Sequence, residues 1–290
     1  MQSEKYPNLG AHMSIAGGYY RAVEAAAEAG CDVVQLFTKN NNQWRAKPIS
    51  EEDVRLFRDA LDKHSISSPI SHASYLINLG SPDPALRLKS VEALIVELQR
   101  AEQLGIGGVV VHPGAFTSSS EDKGMAAIIE SVTSVLKQTA KLEVKLLLEN
   151  TAGQGSCLGW NVEQLAAMID GVRQNERLGV CIDTCHAFAA GYNLADEKEF
   201  KGFFAQLKSA IGWDRICAFH LNDSKKGLGS RVDRHEHIGE GELGITAFQM
   251  LLNHPQLRKI PMYLETEKGD RDGVDLDVIN LERLRDLVKT

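Results

Sequence analysis

The sequence predicts an α/β protein of the (β/α)8 TIM-barrel class. Short apolar runs rich in β-branched residues alternate with longer segments of helical period, giving eight strand–helix units. Eight such units in 290 residues fit a closed barrel in count and length. Connections after strands are long, as over 38–50, 150–160 and 222–244, while several returns from helix to strand are short, such as "GIG" after Leu104. In a barrel the long loops share the face on which active sites are built. A doubly wound open sheet is the competing α/β arrangement.

The elements follow in order. "NLGAHM" (8–13) is the first strand and 18–29 its helix. "DVVQLFT" (32–38) is followed by a helix over 51–64, and "PISHAS" (69–74) by one over 84–104. In that third helix Leu86, Val91, Leu94, Ile95 and Leu98 form one apolar stripe with charged residues opposite. "GVVVHP" (108–113) precedes a helix over 121–139, and "VKLLLEN" (144–150) one over 161–172. "LGVCIDT" (178–184) leads to 197–210, "RICAFHLN" (215–222) to 245–253, and "PMYLETE" (261–267) to 276–289. No internal repeat or low-complexity linker divides the chain, so 1–290 reads as one barrel domain.

Composition narrows the function classes. Hydrophobic residues make up 43% and charged residues 24%, as in soluble globular proteins. No window approaches the ~20 apolar residues that span a bilayer, and the start lacks a signal-peptide pattern. Five scattered cysteines argue against a disulfide framework and for a reducing compartment, the cytoplasm by default. The net charge of −7 speaks against simple non-specific nucleic-acid binding, unless bound metal changes the sum.

Six consecutive strands finish in His, Asp or Glu: His72, His112, Glu149, Asp183, His220 and Glu265. A barrel converges these six side chains on one end. His186, three residues after Asp183, and the Asp-x-His pair Asp233 and His235 lie in adjoining loops. Singly, a strand-end His is more often a structural hydrogen-bonding residue, and an acidic residue often caps the next helix. Together, four carboxylates around one mouth repel one another unless cations intervene. Nine ligands, shared three or four ways with one bridging carboxylate, suit about three zinc-like ions with an open position for water or substrate. Three divalent ions take the net charge of −7 to about −1 and leave the site near +2, a pocket for an anion. Lys225, Lys226, Arg231 and Arg234, on the loop that carries two ligands, point the same way, although a basic loop alone is usually only solvated. Zinc suits the mixed His/carboxylate set, with Mn²⁺ and Fe²⁺ open on ligand type.

Other candidates carry less. His12 reads as a residue that orients a ligand or water, and His237 as a phosphate contact or a solvated side chain. His64 and His254 read as structural. Cys181 reads as a small hydrophobe and Cys185 as a neighbour of ligands, neither as a ligand. The glycines of "SIAGGY" could present N–H groups to phosphate or serve a tight turn alone.

The segments "GAHMSIAGGY", "LFTKNNNQWR", "HASYLINLG", "VVVHPG", "LLLENTAGQG", "GVCIDTCHAFAAGY", "HLNDSKKGLGSRVDRHEHIGEG" and "YLET" run from about residue 9 to 266. In order and content they resemble endonuclease IV, the zinc-dependent apurinic/apyrimidinic (AP) endonuclease family. The resemblance implies a trinuclear zinc site. His72 and His112 would hold one ion, and Glu149 would bridge it to a second held by Asp183, His220 and Glu265. His186, Asp233 and His235 would hold the third. It also implies hydrolysis 5′ to an abasic site in duplex DNA, leaving a 3′-hydroxyl and a 5′-deoxyribose phosphate, with trimming of blocked 3′ ends. The ions would activate water and polarise the scissile phosphate, with Glu149 bridging and Glu265 helping to orient the nucleophile.

Abasic sites are recognised by bending the duplex and extruding the sugar. Gln43, Trp44 and Arg45 are expected to enter the groove or stack, and Tyr75 and Leu76 to wedge between base pairs. The alternative for Trp44 and Leu76 is packing of their loops onto the barrel. Lys225, Arg231 and Arg234 are expected on phosphates. Asn42 departs from the family, which often has arginine two residues before the loop tryptophan. That departure implies weaker distortion of the duplex or greater salt sensitivity, with the chemistry retained.

A monomer is expected, since one barrel face must accept a long duplex, in the cytoplasm and at the nucleoid if the source is bacterial. Two other functions compete. A sugar isomerase or epimerase on the same barrel needs one or two metals and lacks the Asp-x-His loop. A metal-dependent DNA-binding protein that no longer cuts would not need all nine ligand positions.

Overall fold

The computed structural model describes residues 7–172 and 176–289. Strands β1 (Leu9–Met13), β2 (Val33–Phe37), β3 (Ser67–His72), β4 (Gly108–Val111), β5 (Lys145–Glu149), β6 (Leu178–Asp183) and β7 (Ile216–His220) are parallel. After β7 comes a small antiparallel pair, β8 (Asp223–Ser224) and β9 (His235–Glu236), within the loop over 222–244. The strand β10 (Met262–Leu264) then lies between β7 and β1 and closes the barrel. A hairpin of β11 (Asp270–Arg271) and β12 (Val274–Asp275) follows. The closed ring excludes the open-sheet alternative.

Helices α1 (Tyr19–Glu28), α2 (Glu51–His64), α3 (Pro84–Leu104), α4 (Glu121–Gln138), α5 (Val162–Gly171), α7 (Glu197–Ala210), α8 (Ile245–Asn253) and α9 (Leu276–Asp286) alternate with the barrel strands. A short α6 (Thr184–Ala190) starts directly after β6. Local chemistry sets the helix ends. Ser50 and Asp53 form a reciprocal capping box on α2, and Asp83 caps α3 with Pro84 in its first turn. Each such cap is worth about 1 kcal/mol. Gly105 ends α3 at φ 82°, a left-handed conformation that favours glycine. Gly17 and Gly18 sit at φ 85° and 127° just before α1, so the turn itself accounts for the glycines of "SIAGGY".

Two apolar layers result. Helix stripes pack on the outside of the barrel, with Leu94, Leu98, Ala101 and Leu104 of α3 fully buried. Inside, Val33, Ile70, Val110, Leu147, Cys181, Ala218 and Tyr263 form a separate plug. Strand side chains alternate faces with period two. Hence the next inward positions are Gln35, His72, His112, Glu149, Asp183, His220 and Glu265. The hydrophobic plug thereby floors a polar cluster at the C-terminal mouth of the barrel, the face where barrel enzymes place their chemistry.

The sequence reading placed most elements within two residues. It set β3 at 69–74, whereas the strand runs over 67–72. The ladder ends at His72 because the Ser74 amide turns away to donate to the Glu97 carboxylate on α3 (3.3 Å). It also missed α6, which the Asp183 side chain starts by accepting from the His186 amide (2.7 Å). Among the described residues no helix is long and apolar enough to cross a membrane.

Candidate metal centre and nucleic-acid face

Glu149, at the end of β5, is fully buried at the centre of the cluster. Its Oε2 lies 3.1 Å from His72 Nε2 and 3.2 Å from His112 Nε2. Its Oε1 lies 2.9 Å from His220 Nδ1 and 3.2 Å from His186 Nδ1. His220 Nδ1 is also 3.1 Å from Glu265 Oε2 and 3.9 Å from Asp183 Oδ2. In the loop after β8, Asp233 sends one oxygen to within 3.2 Å of His186 Nε2 and the other to 3.3 Å from His235 Nε2.

The remaining ring nitrogens settle which way these histidines face. His72 Nδ1 donates to the Ala73 carbonyl (2.7 Å), His186 Nδ1 to the Asn150 carbonyl (2.8 Å) and His235 Nδ1 to the Glu265 carbonyl (3.2 Å). His220 Nε2 donates to Gln35 Oε1 (2.8 Å), because the Gln35 amide nitrogen is occupied by Glu265 and His12. A carbonyl oxygen can only accept, so each of these nitrogens carries a proton, and in the neutral ring it is the only one. Each opposite nitrogen then turns a lone pair into the cluster. His72 Nε2 and His220 Nδ1 face carboxylate oxygens, and His186 Nε2 and His235 Nε2 face each other at 3.4 Å. Acceptor against acceptor needs a cation between them, either an added proton or a metal ion.

Ionisation shows the same opposition. Burial alone would lower the His186 and His220 imidazoles, but Asp183 and Asp233 at His186, and Cys181, Glu265 and Glu149 at His220, raise both well above the ordinary range. Burial alone would raise Glu149 and Glu265, but the His220 imidazole, with His112 at Glu149, holds both well below it. Asp233 is lowered likewise, by His186 against the effect of burial.

The donors fall into overlapping groups. His72, His112 and Glu149 lie within 4.8 Å of one another, as do Glu149, Asp183, His220 and Glu265. His186 and His235 converge with Asp233, and Asp183 Oδ2 stands 3.7 Å from His235 Nε2. Cys185 also lies within reach of Asp233 and His235. Its thiol donates to the Arg234 carbonyl (3.6 Å), and burial pushes it up to about 12. Without a metal beside it, it therefore stays a thiol.

Three amides orient the ligands and were missed in the sequence. Gln35 joins His12, His220 and Glu265. Asn150 brackets Asp183, accepting from its amide (2.7 Å) and donating to its carbonyl (3.1 Å). Asn222 donates to Asp183 Oδ2 (2.6 Å) and accepts from the Glu265 amide (2.9 Å). Inward alternation from Val33 would have found Gln35. Asn150 and Asn222 each neighbour a ligand region but carry no spacing signal. His12 receives Gln35 Nε2 at 2.9 Å, beside the ligands as expected. His237 is a correction. It is buried, and its Nδ1 accepts from Asn280 of α9 (3.0 Å), so it neither faces solvent nor reaches for phosphate.

Above the cluster opens a cavity of about 500 Å³. Tyr75, Lys225 and Arg234 line it together with His72, His112, His186, Asp233, His235 and Glu265, as does Glu267, which pairs with Lys225 at 3.4 Å. Tyr75 is 57% exposed, and its ring centroid is 5.3 Å from that of His72. Gln43, Trp44, Arg45, Leu76 and Arg231 lie outside this lining. Trp44 is half-buried under the Lys89 ammonium (4.3 Å to the ring centroid), and Arg231 stacks on Trp160 at 4.0 Å.

Fold and site define an α/β barrel whose mouth gathers potential metal donors. The model of the xylose isomerase-like TIM barrel family matches residues 23–287. A protein of Geobacter sp. (strain M21) named "Probable endonuclease 4" is 47% identical over 97% of this chain and 99% of its own length. The crystal structure of endonuclease IV from Thermus thermophilus superposes with a TM-score of 0.85 at 36% identity, covering 97% of this chain and 98% of that one. A D-tagatose 3-epimerase-like protein shares the fold alone, with a TM-score of 0.72 at 20% identity over 96% of each chain. At this similarity over nearly its whole length, the chain belongs to the endonuclease 4 family within those barrels.

Proposed function

We propose that this protein is an AP endonuclease of DNA repair that hydrolyses the phosphodiester bond 5′ to an abasic site in duplex DNA. The products would be a 3′-hydroxyl and a 5′-deoxyribose phosphate. Family membership makes it a DNA-cleaving hydrolase, and the choice of bond is the part to be tested. The observation that carries the metal centre is the set of imidazole lone pairs turned on carboxylates and on each other. That donor set fits three ions. His72, His112 and Glu149 would hold the first, Glu149, Asp183, His220 and Glu265 the second, and His186, Asp233 and His235 the third. Mixed imidazole and carboxylate donors favour zinc. When bound, such ions polarise the scissile phosphate and offset the charge that develops on the departing oxygen.

The chain's own residues do the rest. Glu149 is sealed from solvent and acts through its charge, by drawing imidazoles from the ends of three strands and from α6 around one point. Glu265 lines the cavity, held by Gln35 and by Asn222 through its amide, so it is the carboxylate placed to orient an attacking water. Tyr75 stands exposed beside His72 and would press against the extruded sugar or the gap it leaves, with Leu76 behind it. Lys225, Arg231 and Arg234 would meet phosphates on one side, and Gln43, Trp44 and Arg45 the groove on the other. The same geometry serves blocked 3′ ends. A cytoplasmic monomer that works as one barrel domain suits this reading, since the whole mouth must lie open to a duplex. Nothing in the site favours the epimerase chemistry of the distant fold relative.

A duplex with one tetrahydrofuran abasic analogue, labelled on the damaged strand, tests the proposal. Incision immediately 5′ to the lesion, with a 3′ end that a polymerase extends, is the expected result. Tight binding without incision, or a 3′ end that cannot be extended, refutes it.

A further inference from the structure

Glu97 is a buried charge outside the metal centre. It lies mid-way along α3 and is 1% exposed. A buried carboxylate needs partners, and those of Glu97 come from two separate loops. Its Oε2 accepts from Thr38 Oγ1 (2.8 Å). Its Oε1 accepts from the Ser74 amide (3.3 Å) and faces Lys39 Nζ at 3.3 Å. Lys39, also buried, donates onward to the Gln43 carbonyl (2.7 Å). Ser74 Oγ completes the circuit by donating to the Asn41 carbonyl. The same helix continues the pattern in both directions. Ser90 Oγ accepts from the Asn78 amide (3.0 Å), Arg100 donates to the Lys47 carbonyl (2.7 Å), and Gln103 donates to the Ile49 carbonyl (3.2 Å). α3 is therefore a common mount for the loops over 38–50 and 73–80.

We infer that Glu97 is a positioning residue for duplex recognition. Through Lys39 and Ser74 it fixes the loop bearing Gln43 and Trp44 relative to the loop bearing Tyr75 and Leu76, so that both meet one lesion in register. This rests on reading those loops as DNA-facing. A buried ion pair is weak evidence for stability, because apolar residues of similar size often replace it at little cost. What such residues cannot do is hold two loop backbones at hydrogen-bonding distance.

The test compares Glu97→Gln with the double variant Lys39→Met/Glu97→Met, which leaves no uncompensated charge. Deuterium exchange without DNA is expected to rise over both 39–47 and 73–78 in each variant. Kd and KM for the tetrahydrofuran duplex rise about tenfold, as for loops that must be ordered on binding. The kcat at saturating duplex and the zinc content stay at wild-type values. Faster exchange in one loop only, unchanged Kd with both loops loosened, or loss of zinc overturns the inference. Should wild-type protein neither bind nor cut the abasic duplex, the functional reading falls, and the paired exchange result alone decides the coupling.

Discussion

Replacing Asn222 by alanine removes one side chain that touches two ligands and does not itself line the cavity. Asn222 is fully buried, donates to Asp183 Oδ2 at 2.6 Å and accepts from the Glu265 amide at 2.9 Å. The bond to the carboxylate is charge-assisted and worth about 1.5–3 kcal/mol. At about 1.4 kcal/mol per tenfold, its loss loosens the ion held by Asp183 about 10–100-fold, the range expected when a ligand's supporting partner is removed. The second bond is neutral, and its loss leaves the Glu265 amide unpaired at about 1–3 kcal/mol of fold stability. For a chain of this size that lowers Tm by roughly 2–5 °C. Competition between the protein and a graded chelator, read as zinc retained per chain, measures the first effect, and calorimetry the second. A folded Asn222→Ala protein that keeps all its zinc as tightly as wild type would refute the assignment of Asp183 and its support.

Other outcomes follow from the same structure. Tyr75→Ala should raise KM for an abasic duplex about 10–100-fold, the worth of one aromatic stacking partner, with zinc content unchanged. An effect on undamaged duplex of equal size would show Tyr75 to be a general contact. Asn42→Arg should add about one phosphate contact, raising affinity at low salt and steepening the log–log salt slope by about 0.9. Counting contacts in this way reverses the greater salt sensitivity expected for Asn42, and a flat response in a salt titration would remove residue 42 from the interface. Outside the donor set, hydrogen bonds from Arg271, and then Arg283, hold Glu240 down to about 2 from an ordinary 4.5. A depressed carboxylate stabilises the fold above its unfolded value, so this contribution is complete above about pH 4.5 and lost as pH falls toward 2. In chelator-treated protein, Glu240→Gln should flatten the change of urea midpoint with pH across that window; an identical profile would show the pair to be without effect.

Much of the site was legible because the barrel converts sequence period into geometry. Each of His72, His112, Glu149, Asp183, His220 and Glu265 stands two residues beyond an apolar side chain that points inward, so one face of each of these six strands supplies first plug and then donor. His186 was legible by its spacing from Asp183, although the helix that places it was not. A seven-residue helix is too short to show a period and is set by a single cap. Asn150 and Asn222 were not legible as supports, because an amide declares its role only through the carboxylate it faces, whereas the inward place of Gln35 followed from alternation. His237 misled for the opposite reason. It belongs to a polar loop in sequence, yet Asn280 from the last helix buries it.

Metal reconstitution tests the central claim most directly. Chelator-stripped protein would be titrated with zinc while incision of a single-lesion duplex and bound zinc are followed in the same samples. The account predicts no incision without metal, and full incision 5′ to the lesion only as the third equivalent binds. Full activity at one or two equivalents, or incision that survives excess chelator, would contradict it.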